Sequence, residues 1–163
     1  MKLITDRLSL FDLNIDHSEF MYSLMNSPKW KEFIGDRKIQ SVSDAQTYIQ
    51  KIVDAPETNY WVIQSKKTHE LIGVLTFMKR DYLAHFDIGF ALLPEFFGNG
   101  FAFEASTALL DQIRVDKKHE QILATTLPSN KDSIQLLKKL GLSFMKEIQS
   151  NHEVLHVYSI SSH

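Results

Sequence analysis

Pro94-Glu-Phe-Phe-Gly-Asn-Gly-Phe-Ala-Phe-Glu-Ala105 joins two different backbone habits. The run before it, Phe86 to Leu93, is strand-like, and the run after it, to about Arg114, repeats its apolar residues at helical spacing. Gly98 and Gly100 stand at the change of direction. Glycine tolerates positive φ and has no Cβ to keep a ligand from the backbone. A helix beginning just past such a turn offers unpaired N–H groups and the positive end of its dipole. Strand, glycine turn and helix N-terminus together form an anion site, usually for phosphate.

Upstream, Tyr60 to Ile63 and Leu71 to Met78 are strands, separated from each other and from His85 to Leu93 by the polar turns Lys66 to Glu70 and Arg80 to Ala84. Turns this short require antiparallel pairing. Downstream, Phe101, Ala105, Ala108, Leu109 and Ile113 form one helical stripe, and Gln121 to Thr126 is the next strand. A connection through a helix makes that strand a parallel neighbour with a right-handed crossover.

The ends complete the pattern. Arg7 to Leu13 alternates as a first strand. Asp16 and Glu19 have capping-box spacing ahead of Phe20, Leu24 and Met25, with Pro28 beyond, and Ser43 and Gln46 repeat that spacing ahead of Ala45, Ile49, Ile52 and Val53. Lys29 to Gln40 between them is irregular. Asn130 suits the N-cap of a helix over Lys131 to Leu140, which Gly141 stops, and Leu142 to Ile148 and Glu153 to Ile160 form a closing antiparallel pair. The order β–α–α–β–β–β–α–β–α–β–β predicts a single α+β domain over residues 1–163 around one mixed sheet.

Composition narrows the function. With 163 residues, 44% of them hydrophobic, the chain can bury a full core. The net charge of -2 gives no basic surplus for nucleic acid. Cysteine is absent, which excludes disulfides, thiolate metal sites and a cysteine nucleophile. The N-terminus lacks an apolar signal run, and no stretch reaches the ~20 apolar residues of a membrane helix. The expectation is a cytoplasmic protein without membrane contact.

Two nucleotide motifs fail at the glycine turn. A P-loop needs Lys and Ser or Thr after its last glycine, and Phe101 and Ala102 follow Gly100. The dinucleotide fingerprint needs a third glycine where Phe103 stands. Glu120 lies at a suitable distance for a ribose contact, but the preceding strand belongs to an antiparallel meander rather than a parallel βαβ unit.

Asp87-Ile-Gly-Phe-Ala-Leu-Leu followed by the Pro94–Ala105 stretch resembles the acyl-CoA signature of the GNAT N-acetyltransferase superfamily. The similarity is to the branch containing the ribosomal-protein N-terminal acetyltransferases. Thr5-Asp-Arg-Leu-Ser-Leu-Phe11 resembles the first strand of that branch, and Asn130-Lys-Asp-Ser133 with Leu136-Leu-Lys-Lys-Leu-Gly-Leu142 resembles its late helix. The resemblance implies a mixed, mostly antiparallel sheet of about seven strands with flanking helices and a splayed parallel pair. It implies acetyl-CoA as co-substrate, no metal, and direct attack of a primary amine on the thioester.

The resemblance also implies residue roles. The family's Gln/Arg-x-x-Gly-x-Gly/Ala pattern falls on Phe97, Gly98, Asn99, Gly100, Phe101 and Ala102, whose backbone would hold the pyrophosphate. Phe97 departs from it, so one polar side-chain contact is lost. Backbone groups of Phe90 and Leu92 would pair with the pantetheine, and a Phe90 N–H would face the thioester oxygen. Asp87 falls where many members carry a glutamate base; its shorter side chain favours a water relay. A half-exposed strand residue bonded to a turn is the competing reading of Asp87. Asn130 would bond the pantetheine and Ser133 would lie near the sulfur, while both also suit a helix cap and its first turn. The tyrosine acid of many GNAT enzymes is replaced by Leu137. Trp30 and Phe33 lie in the loop bordering the acceptor groove, where they line a pocket or cover the core.

His152-Glu-Val-Leu-His156 satisfies the zinc-hydrolase pattern H-E-x-x-H, which works only on a helix. Val154, Val157, Tyr158 and Ile160 predict a strand, on which the histidines would stand about 13 Å apart, too far to share one zinc. The sequence therefore points to an N-acetyltransferase, with a non-catalytic acyl-CoA sensor of the same fold as the alternative. The acceptor, a protein N-terminus or a small amine, stays open, as does the choice of monomer or homodimer.

Overall fold

A computed structural model of the chain describes residues 2–162. Among these residues, eight strands form one sheet, in the order β1-β2-β3-β4-β5-β6-β8-β7. The strands are β1 (Leu3–Ile4), β2 (Leu8–Asp12), β3 (Thr58–Ser65), β4 (Leu71–Met78), β5 (Asp87–Leu92), β6 (Gln121–Thr126), β7 (Ser143–Ser150) and β8 (Glu153–Ser161). Every neighbouring pair is antiparallel except β5 and β6, which are parallel. The mixed sheet matches the sequence reading, with one strand more than expected. The addition is β1, whose two residues pair with β2 but are too short to show any alternation.

Four longer helices cover the sheet: α1 (Ser18–Met25), α2 (Val42–Asp54), α3 (Phe101–Asp116) and α4 (Lys131–Lys139). Leu10, Ile63, Leu75 and Ile88 pack with Leu109 and Leu137 from α3 and α4. On the other face, Val62 and Val74 pack with Leu24 and Ile49 from α1 and α2. The central strand β4 is thus covered on both sides, and its residues Ile72 to Met78 are all buried. A strand with two covered faces reads as a continuous apolar run.

Both predicted helix caps sit two residues upstream of their expected positions. Asn14, not Asp16, opens the first helical turn: its Oδ1 accepts the Asp16 N–H at 2.8 Å, and its own N–H donates to His17 Nδ1 at 3.0 Å. Ser41, not Ser43, caps α2 by accepting the Asp44 N–H at 3.0 Å. In each case two capping-competent residues lie close together, and the earlier one has the extended backbone a cap requires. Val53, assigned to the apolar face of α2, is exposed. The stretch expected to be irregular contains one π-helical turn, Trp30–Ile34, which buries Trp30.

Candidate active site

β5 and β6 touch at one end only. Their register contains the single pair Asp87 and Leu123, beside the Leu123 N–H bond to the Phe86 carbonyl at 2.9 Å. Beyond it β5 stays on β4 as far as Leu92, and β6 stays on β8 as far as Thr126. The pair therefore opens into a V. Strand groups alternate between the two edges. The Leu93 N–H bonds to the Ile72 carbonyl on the β4 side, and the Phe86 carbonyl faces β6. The backbone groups of Ile88, Phe90 and Leu92 therefore turn into the gap. A cavity of about 1170 Å³ fills it.

At one end of the cavity lies the glycine turn. Gly98 and Gly100 both have φ of +78°, and α3 begins at Phe101. The first helical bond runs from the Glu104 N–H to the Gly100 carbonyl, so the N–H groups of Phe101, Ala102 and Phe103 have no helical acceptor. The turn is anchored from β2's leading edge. Arg7 Nη1 donates to the Asn99 carbonyl at 2.9 Å, Arg7 Nε donates to Glu104 at 2.7 Å, and the guanidinium lies 4.4 Å from the Phe101 ring centre. Glu104 also accepts the Thr5 hydroxyl and the Arg7 N–H. Partial burial pushes the Glu104 carboxyl up, but the Thr5 and Arg7 hydrogen bonds outweigh it and hold the group below its usual range.

At the other end, Asp87 projects from β5 on the face covered by α1 and α2. Arg80 Nε donates to both of its carboxylate oxygens, at 3.0 and 3.1 Å. The Arg80–Ala84 turn is set by Lys79, whose Nζ donates to the carbonyls of Arg80 and Leu83. Asp87 is 3% exposed, not half-exposed, although its partner does lie in a turn. Burial pushes its carboxyl above the usual range, and the Arg80 charge and hydrogen bonds recover part of the shift. Burial is also the main cause that drives the Tyr60 phenol up, reinforced by Tyr48, which hydrogen-bonds to it; the charges of Arg80 and Arg37 act in the opposite direction.

Asp87, Phe90, Leu92, Phe97, Gly98, Gly100, Phe101, Ala102, Asn130, Ser133, Trp30 and Phe33 all line this one cavity. Asn99 is not on its wall; its amide turns back to the Phe96 and Phe97 carbonyls. Asn130 caps α4, its Oδ1 accepting the Ser133 N–H at 3.3 Å. Its side-chain NH₂ and the Ser133 hydroxyl have no partner among the described residues. Leu137 is buried in the core. Lys29 Nζ bonds to Asp132 at 3.0 Å and lies 5.0 Å from the Phe97 ring centre, so a cation stands over the position where the family carries Gln or Arg. Sequence reasoning missed Lys29, Tyr48, Tyr60 and Arg80 as site residues, because only the tertiary fold gathers them; Arg37 lies in the loop expected to border the acceptor groove and does line the cavity. His156 lies on β8 beside Glu147 at 3.1 Å, and His152 lies in the turn before it, so the two do not share a helix face. Among the described residues no group of three or more potential ligands could hold a metal, and no helix is long and apolar enough to cross a membrane.

The model of the acetyltransferase (GNAT) domain family matches residues 7–143. The chain belongs to the GNAT acetyltransferase family. The uncharacterized N-acetyltransferase p20 of Bacillus licheniformis is 31% identical to this GNAT domain, across 89% of this chain and 83% of its own length. The solved structure of RimL, a ribosomal L7/L12 α-N-protein acetyltransferase in complex with coenzyme A, superposes with a TM-score of 0.84 at 14% identity, covering 98% of this chain and 96% of its own. A spermidine N-acetyltransferase from Vibrio cholerae, in complex with CoA and spermine, gives a TM-score of 0.81 at 16% identity, covering 97% of each chain. At such identities the likeness is one of fold. The family as a whole carries out acetyl transfer to amines.

Proposed function

We propose that this chain transfers the acetyl group of acetyl-CoA to a primary amine by direct attack, without a covalent enzyme intermediate. One observation carries the reading: a single cavity runs from the unpaired N–H groups at the start of α3, along the inward-facing backbone of Phe90 and Leu92, to the Asp87 carboxylate. When bound, acetyl-CoA supplies an acyl group activated as a thioester.

The chain's own groups would divide the work. N–H groups from Gly98 to Phe103 bind the pyrophosphate at the positive end of α3. The Phe90 and Leu92 backbone hydrogen-bonds the pantetheine as an added strand would, with the Asn130 side-chain NH₂ opposite. The Phe90 N–H points at the thioester oxygen and stabilises the negative charge that develops there. Asp87 accepts a proton from the acceptor's ammonium through a water, which frees the neutral amine to attack. It must do so because an amine with pKa about 8–10 is mostly protonated at neutral pH. The Ser133 hydroxyl returns a proton to the departing sulfur. Trp30 and Phe33 wall the acceptor.

Calorimetric titration with acetyl-CoA, followed by thiol detection over an amine panel, tests this reading. The hold of Arg80 Nε on both oxygens of Asp87 favours a second one. A carboxylate committed to a guanidinium is a poor base, and the domain would then be an acyl-CoA sensor that binds without turning over.

A further inference from the structure

The acceptor end of the cavity is richer in positive charge and hydrogen-bond donors than proton removal from an amine requires. Arg37, from the loop before α2, and Lys51, on α2, both line it. Neither has an ion-pair partner among the described residues. Arg80 engages Asp87 through Nε alone, and its two Nη groups have no acceptor among the described residues. The indole N–H of Trp30, buried in the same wall, has none either. Arg37, Tyr60 and Arg80 line the same cavity, and the charges of both guanidinium groups act on the Tyr60 phenol.

The carboxylates do not balance this set. Of the three that line the cavity, Asp87 is paired with Arg80 and Asp132 with Lys29, which leaves Glu153 against Arg37, Lys51 and Lys139. A polycationic acceptor would meet like charge here, which is unfavourable. An anionic group would meet guanidinium forks built for bidentate contact.

We infer that the acceptor is a small amine that also carries a carboxylate or phosphate. Its amine lies against Asp87 and Phe90, and its anion is held by Arg37, Lys51 and the free Nη groups of Arg80. The inference rests on the acetyltransferase reading and names the substrate class of that same site.

The test uses paired amines that differ in the anion: an L-amino acid with its amide, and 2-aminoethyl phosphate with ethanolamine, with spermidine as the cationic control. The amide has the more easily deprotonated amine, so preference for the acid cannot come from amine basicity. The anionic member of at least one pair is expected to show ~10-fold or greater kcat/KM for CoA release. It should also bind the CoA-loaded protein more tightly by calorimetry. The Arg37→Gln/Lys51→Gln double substitution should bring the anionic-to-neutral ratio toward one, with the far-ultraviolet spectrum of the folded protein retained. Equal or better rates with the neutral members or spermidine overturn the inference, as does an unchanged ratio in the double variant. Failure of every amine in the panel to release CoA defeats the acetyltransferase reading as well. Release confined to neutral or cationic amines defeats this inference alone.

Discussion

Arg80 grips both carboxylate oxygens of Asp87 with one nitrogen, Nε, at 3.0 and 3.1 Å. The pair links the turn after β4 to the first residue of β5, where the sheet begins to splay. Burial and ion pairing act on Asp87 in opposite senses, and burial wins, so its carboxyl stays protonated to a higher pH than an ordinary aspartate.

That balance sets the pH profile. A base works only when ionised, so kcat/KM should fall as pH drops through a value above the ordinary 3.8 of aspartate. Asp87→Asn should remove this acid limb and lower the rate by about 10²–10⁴. A pH–rate series on both proteins checks it. An acid limb that survives in Asp87→Asn would count against the base.

Arg80→Gln gives the opposite handle on the same group. Removing the positive charge takes away the influence that pulls the Asp87 carboxyl down, so the acid limb should move to higher pH while the base remains. An unmoved limb would show that Arg80 does not tune the carboxylate.

The second anchoring pair, Arg7 and Glu104, should appear in stability. Glu104→Gln removes a charged acceptor of three hydrogen bonds and should cost about 1.5–3 kcal/mol at neutral pH, measured by urea unfolding. The folded carboxyl sits below its ordinary value of 4.5, so its contribution is complete above that pH and disappears as pH falls through the lowered value. The gap between wild type and Glu104→Gln should therefore close in acid. A constant gap would contradict the ionic account.

Gly98→Ala separates backbone strain from ligand exclusion. At φ +78° an alanine costs about 1–2 kcal/mol, although its Cβ meets nothing within 4 Å. That vacant side belongs to the turn assigned to the pyrophosphate. Calorimetry should show a loss of CoA affinity beyond what the unfolding measurement explains. Affinity equal to wild type would move the phosphate site elsewhere.

Much of this architecture is legible in the sequence where local signals agree. Leu71–Met78 has its predicted boundaries because polar turns flank an apolar run, and Gly98 and Gly100 mark the strand-to-helix turn through the φ values they alone accept without strain. β1 is invisible because two residues carry no period, and the helix caps shift where Asn14 and Ser41 compete with Asp16 and Ser43. The acceptor end is the least legible part. Arg37, Tyr48, Tyr60 and Arg80 come from a loop, a helix, a strand and a turn, and no spacing rule connects them. Asp87 stands out in the sequence, but its burial depends on Arg80 folding back from a turn that looks merely polar.

The most direct test of the central claim is amine-dependent acetyl transfer by the purified chain. Acetyl-CoA and a panel of anionic, neutral and cationic primary amines are supplied, with free thiol and acetylated amine measured together. The account predicts equal amounts of CoA thiol and N-acetyl product with at least one amine, and loss of both in Asp87→Asn. Tight acetyl-CoA binding with no acetylated product from any amine would contradict it and leave the chain an acyl-CoA sensor.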